Sequence, residues 1–285
     1  MPAAEGTLTG LAPPVPGLLT GRLAALMFMQ FFVWGAWNVT LGLAMQTVGI
    51  GNLIGDAFSV GPIASIVGSF LLGMAATRYL SPKMLMVILH LVGGAILFAL
   101  PQLVTPEHGR SFVWLLLGYM ILYMPTVGLA NTIALKSFGE RVDRFPFVRA
   151  FGTIGWIAAG LIIGWAGLSA SPEIFRVAAV VSVALGLYCF TLPDVEPDAP
   201  RNESVVRQVL CVEAFGLLRQ RSFLIFIASA TLISIPLAMY YAYASAYLGT
   251  AGIENVGGTM SIGQMSELAF MFSMPWLYRR FGVKP

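Results

Sequence analysis

Of the 13 acidic residues in the chain, Glu267 stands apart, lying about eleven residues into the apolar stretch Val256–Leu277. Gln264 precedes it by three positions, which on a helix puts both on one face. An ionisable group at bilayer depth costs at least ~2.5–3.5 kcal/mol on insertion scales, so it normally lines a cavity and handles ions or protons. The competing reading is a protonated Glu that hydrogen-bonds two helices together.

Arg149, Thr153 and Trp156 recur at i, i+4 and i+7, so a guanidinium, a hydroxyl and an indole share one helical stripe. That set suits a flat, hydroxylated ligand such as a nucleoside: sugar hydroxyls and base edges need donors and acceptors, and a base stacks on an aromatic ring for ~1–3 kcal/mol. Arg149 equally fits a cationic anchor at the membrane surface. Gln30, Trp34 and Trp37 repeat the spacing, with Asn38 and Thr40 beside them, and read as either a cavity wall or packing bulk. Asn131 and Thr132 are candidates for ligand contact or for hydrogen bonds between helices. Tyr240, Tyr243 and Tyr247 share one stripe, and Tyr241 faces away from it.

The elements that carry these residues follow from composition. The chain has 285 residues, 58% hydrophobic and 10% charged, with mean hydropathy +0.82. Soluble domains hold roughly 45–50% apolar and 25% charged residues. Runs of about 20 apolar residues must be helices in a bilayer, because hydrocarbon offers backbone groups no partner. The fold class is all-α and polytopic. Apolar runs against charged or Pro/Gly breaks predict eight spans: Leu23–Met45, Ile54–Ala76, Met84–Val104, Phe112–Leu135, Val148–Leu168, Ile174–Leu192, Phe223–Leu248 and Val256–Leu277.

Basic residues concentrate in alternate loops. Lys83, Lys136, Arg141, Arg144, Arg201, Arg207, Arg219, Arg279 and Arg280 lie after even-numbered spans, whereas the opposite loops hold Arg110 and Arg176. The N-terminus and the even loops are therefore expected in the cytoplasm of a cell-membrane protein. Net charge of +3 in such clusters marks topology rather than a nucleic-acid surface. Residues 1–21 read as a flexible tail, 22–193 as a six-helix transmembrane half, 194–221 as a cytoplasmic linker with an amphipathic helix through Val205, Val209, Val212 and Phe215, and 222–285 as the first two helices of a second half.

The runs Trp34-Gly35-Ala36-Trp37 and Ser261-Ile262-Gly263-Gln264-Met265-Ser266-Glu267, with the stretches Met124–Ile133 and Phe145–Gly155, resemble the bacterial nucleoside–proton symporters of the major facilitator superfamily. The resemblance implies a twelve-helix fold of two six-helix halves, here expected to lack the last four helices. It further implies alternating access and inward transport of nucleosides with protons; a monomer without cofactor is expected. The resemblance implies Gln264 and Glu267 in the substrate site, with Glu267 coupling the proton, and supports Arg149, Thr153 and Trp156 there; Gln30, Trp34, Asn131 and Tyr241 complete the set of candidate binding residues. Two departures matter. The superfamily's acidic residue after the second helix is Thr77 here, and two amide-bearing positions of the seventh helix are Ala238 and Tyr241. A carrier of another solute, sugar or drug, is the alternative, as is a non-transporting membrane protein.

Other motifs have plainer readings. His90 is a proton relay or a hydrogen-bonded structural residue. Gly160 and Gly164 form a small-xxx-small pair for close helix contact. Cys189 and Cys211 read as unpaired thiols with no metal-ligand spacing. No nucleophile-elbow, zinc-protease or phosphate-loop pattern occurs, so an enzyme is not expected.

Overall fold

The computed structural model describes residues 17–71, 80–196 and 212–282. Its long elements are helices: α1 (Gly17–Asn38), α2 (Leu41–Thr47), α3 (Ile54–Leu71), α4 (Pro82–Ala99), α5 (Gly109–Phe138), α6 (Phe145–Trp165), α7 (Ile174–Cys189), α8 (Arg221–Thr250) and α9 (Val256–Phe281). Each of the eight expected spans has its helix. Residues 1–16, Thr77, Val205, Val209 and Cys211, on which expectations were placed above, lie outside the described residues.

The helix ends follow local chemistry. Ser81 caps α4 by accepting the Met84 N–H at 3.4 Å, and Pro82 fills the first turn, where its missing donor costs nothing. Beyond Ala99 the chain tightens into a 3-10 turn, Leu100–Leu103, at Pro101. α5 ends at Gly139, whose φ of +54° reverses the chain as few other residues could. α6 starts with Pro146 in its first turn.

Two elements differ from the periodicity reading. The first span breaks at Val39–Thr40 into α1 and α2, and the break lets Gly42 come against the Ala242 carbonyl and Ser245 of α8. In the linker, the described segment Val212–Arg219 is a 3-10 helix instead of an amphipathic α-helix.

In the first half, α1 packs on α6 and α7, α4 on α5 and α7, and α3 on α5. A continuous apolar core fills the space between them, including Trp37, Leu41, Phe112, Tyr119 and Phe175. α1 and α6 approach closely because Gly155 leaves no Cβ to strike the Phe28 backbone. The outer faces keep large apolar groups bare, Trp114 at 71% and Trp165 at 89% exposure among them. Such a surface is stable against lipid and not against water. Gly17–Thr47, Pro82–Leu103, Gly109–Trp165 and Arg221–Thr250 are long and apolar enough to cross a bilayer, the third containing both α5 and α6. The protein is a multi-pass membrane protein.

Candidate functional site

Helices from both halves enclose a cavity of ≈ 500 Å³. Its walls include Phe31, Trp34 and Asn38 of α1, Arg149, Thr153 and Trp156 of α6, Ala238 and Tyr241 of α8, and Gln264 and Glu267 of α9. Helical spacing explains the selection: positions 149, 153 and 156, like 264 and 267, fall on the inward stripe of one helix.

Arg149 is partly buried, and its guanidinium rests over the Phe31 ring with the carbon 4.1 Å from the centroid. Gly152, one turn on, leaves the room this arrangement needs, since a Cβ there would meet both Arg149 and Phe31. A cation over an aromatic face gains ~0.5–1 kcal/mol at exposed sites and more when desolvated, so Phe31 holds the guanidinium without neutralising it.

Aromatic rings line the centre. Trp34 and Trp156 meet edge to face at 5.5 Å between centroids, and Trp156 meets Tyr241 at 6.4 Å. The contact of Trp156 with Tyr241 joins the halves, and within the second half the Tyr241 hydroxyl accepts the Gln264 amide N–H at 3.5 Å. A planar ligand entering this space finds ring faces and edges, a cation on one wall and a carboxylate on the other.

The halves touch on one side of the cavity. Beyond Trp156, the small residues Gly160 and Gly164 of α6 meet Gly257, Gly258 and Ser261 of α9, and the Gly257 N–H donates to Ser169 Oγ at 3.2 Å. Beyond Tyr241, Ser245 Oγ of α8 accepts the Leu43 N–H of α2 at 3.2 Å. Both contacts lie toward the ends of α5 and α7 that hold Arg110 and Arg176. Arg149 and Glu267 lie toward the basic loops.

Seven of the nine expected site residues line the cavity. Two stand elsewhere. Gln30 is fully buried and bonded to Thr126 and His90 within the first half. Asn131, on α5, is absent from the lining and keeps its side-chain oxygen buried without a hydrogen bond. Thr132, named beside it as a link between helices, turns its hydroxyl back to the Gly128 carbonyl of its own helix at 3.0 Å. Spacing missed Phe31, whose signal is its place beside Gln30 on α1, and Met120, Met124 and Ser65, which carry no distinctive polar pattern.

The family model for nucleoside H+ symporters matches residues 18–285. This chain belongs to that family. Among its relatives, YegT of Escherichia coli (strain K12) is 35% identical over 273 residues, covering 93% of this chain and 63% of YegT. The nucleoside permease NupG of the same organism is 31% identical over 279 residues, covering 92% of this chain and 66% of NupG. The chain thus spans somewhat under two thirds of the length of these relatives. The crystal structure of the nucleoside transporter NupG superposes with a TM-score of 0.79 at 30% identity, covering 93% of this chain and 69% of that one. The fold is that of the major facilitator superfamily: a six-helix half, here α1 to α7 with α1 and α2 as one broken span, followed by the first two helices of a second.

Proposed function

We propose that the protein takes part in proton-coupled uptake of nucleosides by alternating access, as a monomer in the cell inner membrane with its N-terminus in the cytoplasm. One observation carries the reading: a basic, hydroxyl-bearing and aromatic stripe on α6 faces a Gln–Glu pair on α9 across a single cavity between the halves. A nucleoside matches that cavity. Arg149 and Thr153 meet base or sugar oxygens, Trp156 offers a stacking face, and Glu267 accepts from hydroxyl donors or takes up a proton.

The basic ends of the helices support the orientation by the positive-inside tendency. On that orientation, the contacts of α6 with α9 and of α2 with α8 close the extracellular side. The cavity then faces the cytoplasm, the release stage of an uptake cycle. Coupling requires that substrate and proton both favour the state that turns over.

Uptake driven by an imposed pH gradient tests the proposal. Glu267→Gln is expected to abolish uphill accumulation of uridine while leaving exchange; pH-driven accumulation that persists in this variant overturns the coupling role. A sugar or drug carrier is the second reading, favoured by Ala238 and Tyr241 lining the cavity where the resembled permeases carry amides. Competition of labelled uridine by sugars separates the two.

A further inference from the structure

A buried polar knot inside the first half lies apart from the cavity and has no part in the proposal above. Four helices feed it: Gln30 from α1, His90 from α4, Tyr123 and Thr126 from α5, and Ser182 from α7, none more than 2% exposed. Volume alone would be filled as well by Leu or Phe. Polar groups here must be matched completely or they destabilise the bundle, so their pattern carries information.

The protons can be placed one by one. The Thr126 hydroxyl donates to the Tyr123 carbonyl at 2.6 Å, which leaves its oxygen to accept from Gln30 Nε2 at 2.7 Å. The Gln30 amide is then oriented, with Oε1 facing His90 Nε2 at 2.9 Å. An amide oxygen only accepts, so His90 Nε2 carries the ring proton. His90 Nδ1 is left as an acceptor beside Ser182 Oγ at 3.1 Å, and the same hydroxyl reaches the His90 carbonyl at 3.0 Å. The serine proton serves either acceptor.

The knot connects to the cavity through Gln30 and Tyr123. The Gln30 carbonyl accepts the Tyr123 hydroxyl at 2.6 Å, and the next residue, Phe31, is the ring beneath Arg149. Tyr123 meets Trp34 edge to face at 5.8 Å, and Trp34 meets Trp156. We infer that His90 is a positioning residue for the ligand cavity. Its Nε2–H fixes Gln30; Gln30 and Tyr123 fix the α1 segment from Phe31 to Trp34; that segment sets Arg149 and Trp156. The inference takes its ligand from the nucleoside reading, but its tautomer stands on hydrogen bonding alone.

Two measurements on the intact protein in detergent test it. Nitrogen-15 NMR of histidine-labelled protein at neutral pH is expected to show one ring, distinct from exposed His108, with Nε2 protonated and Nδ1 bare. An Nδ1–H or doubly protonated His90 overturns the assignment. Calorimetric binding of uridine then reads the positioning. His90→Gln places an amide nitrogen near the Nε2 position and is expected to keep Kd within about twofold. His90→Asn and His90→Phe are expected to raise Kd on the order of tenfold, the scale of one misplaced hydrogen bond. Wild-type affinity in folded His90→Phe, or equal loss in folded His90→Gln and His90→Asn, overturns the role. Should His90→Phe not fold, the Gln and Asn pair decides. Wild-type protein that binds no uridine refutes the nucleoside reading, and the NMR result still stands or falls separately.

Discussion

Arg149 and Glu267 face one cavity from different halves of the protein, Arg149 near the start of α6 and Glu267 in the body of α9. A ligand between them has a fixed cation at one end and an ionisable acceptor at the other. Removing the cation exposes the first consequence. Arg149→Ala is expected to weaken uridine binding by ~1.5–3 kcal/mol, the usual worth of a hydrogen bond to a charged group. Arg149→Lys should recover only part of it, because an ammonium lacks the planar fork. Equilibrium binding to purified protein checks both, and unchanged affinity in Arg149→Ala removes this residue from the site.

Trp156 tests the aromatic centre. Trp156→Phe keeps a ring against Trp34 and is expected to lower affinity little. Trp156→Ala removes the stacking face and is expected to cost ~1–3 kcal/mol of nucleoside binding. Equal affinities for the Phe and Ala variants would show that no base stacks here.

The contact between the halves depends on missing side chains. A Cβ on Gly164 would stand 2.6 Å from the Gly258 nitrogen, and one on Gly257 would stand 2.6 Å from the Gly160 oxygen. Gly164→Val is therefore expected to hold α6 and α9 apart at that end. The measurable result is loss of net uptake with a lowered melting temperature, overpacking costing typically ~1–3 kcal/mol. A variant with normal transport would mean that the helices need not meet this closely.

Asn255 closes the first turn of α9 by accepting the Gly258 N–H on Oδ1 at 2.9 Å. Asn255→Ala is expected to cost ~0.5–2 kcal/mol through the lost cap, and Asn255→Asp or Asn255→Ser to restore most of it. Thermal unfolding of the three variants in one detergent makes the comparison.

Acid sensitivity should appear at the basic end. Lys83 Nζ lies 3.0 Å from Asp194 Oδ2, and hydrogen bonds from Lys83 and Ser81 hold this exposed carboxyl below its ordinary range. With the folded pKa depressed, the pair's contribution is present above the unfolded value, ~3.9, and is lost as pH falls through the folded one. Asp194→Asn is expected to flatten the acid limb of a stability-against-pH curve slightly and to leave the neutral region unchanged. An identical acid limb in the variant would show that the bridge has no linkage to folding.

The fold class was legible in the sequence because one force sets it. Hydrocarbon denies partners to backbone groups, so apolar length alone reveals a helix, and the eight expected spans correspond to α1 with α2, then α3 to α9. Helical periodicity likewise grouped Arg149 with Thr153 and Trp156, and Gln264 with Glu267, before any contact was known, because residues on one stripe of a helix stay together wherever that helix goes. Periodicity says nothing about what a stripe faces. Gln30 shares a stripe with Trp34, yet α4, α5 and α7 close over it and its amide turns to His90 and Thr126, while Trp34, one turn later, reaches the cavity. The approach of α2 to α8, the rest of Phe31 under Arg149 and the meeting of α6 with α9 rely on glycines whose partners lie roughly 100 to 200 residues away, a relation no local window contains. Residue type and helical phase determined which groups could act; packing between distant helices decided which of them met.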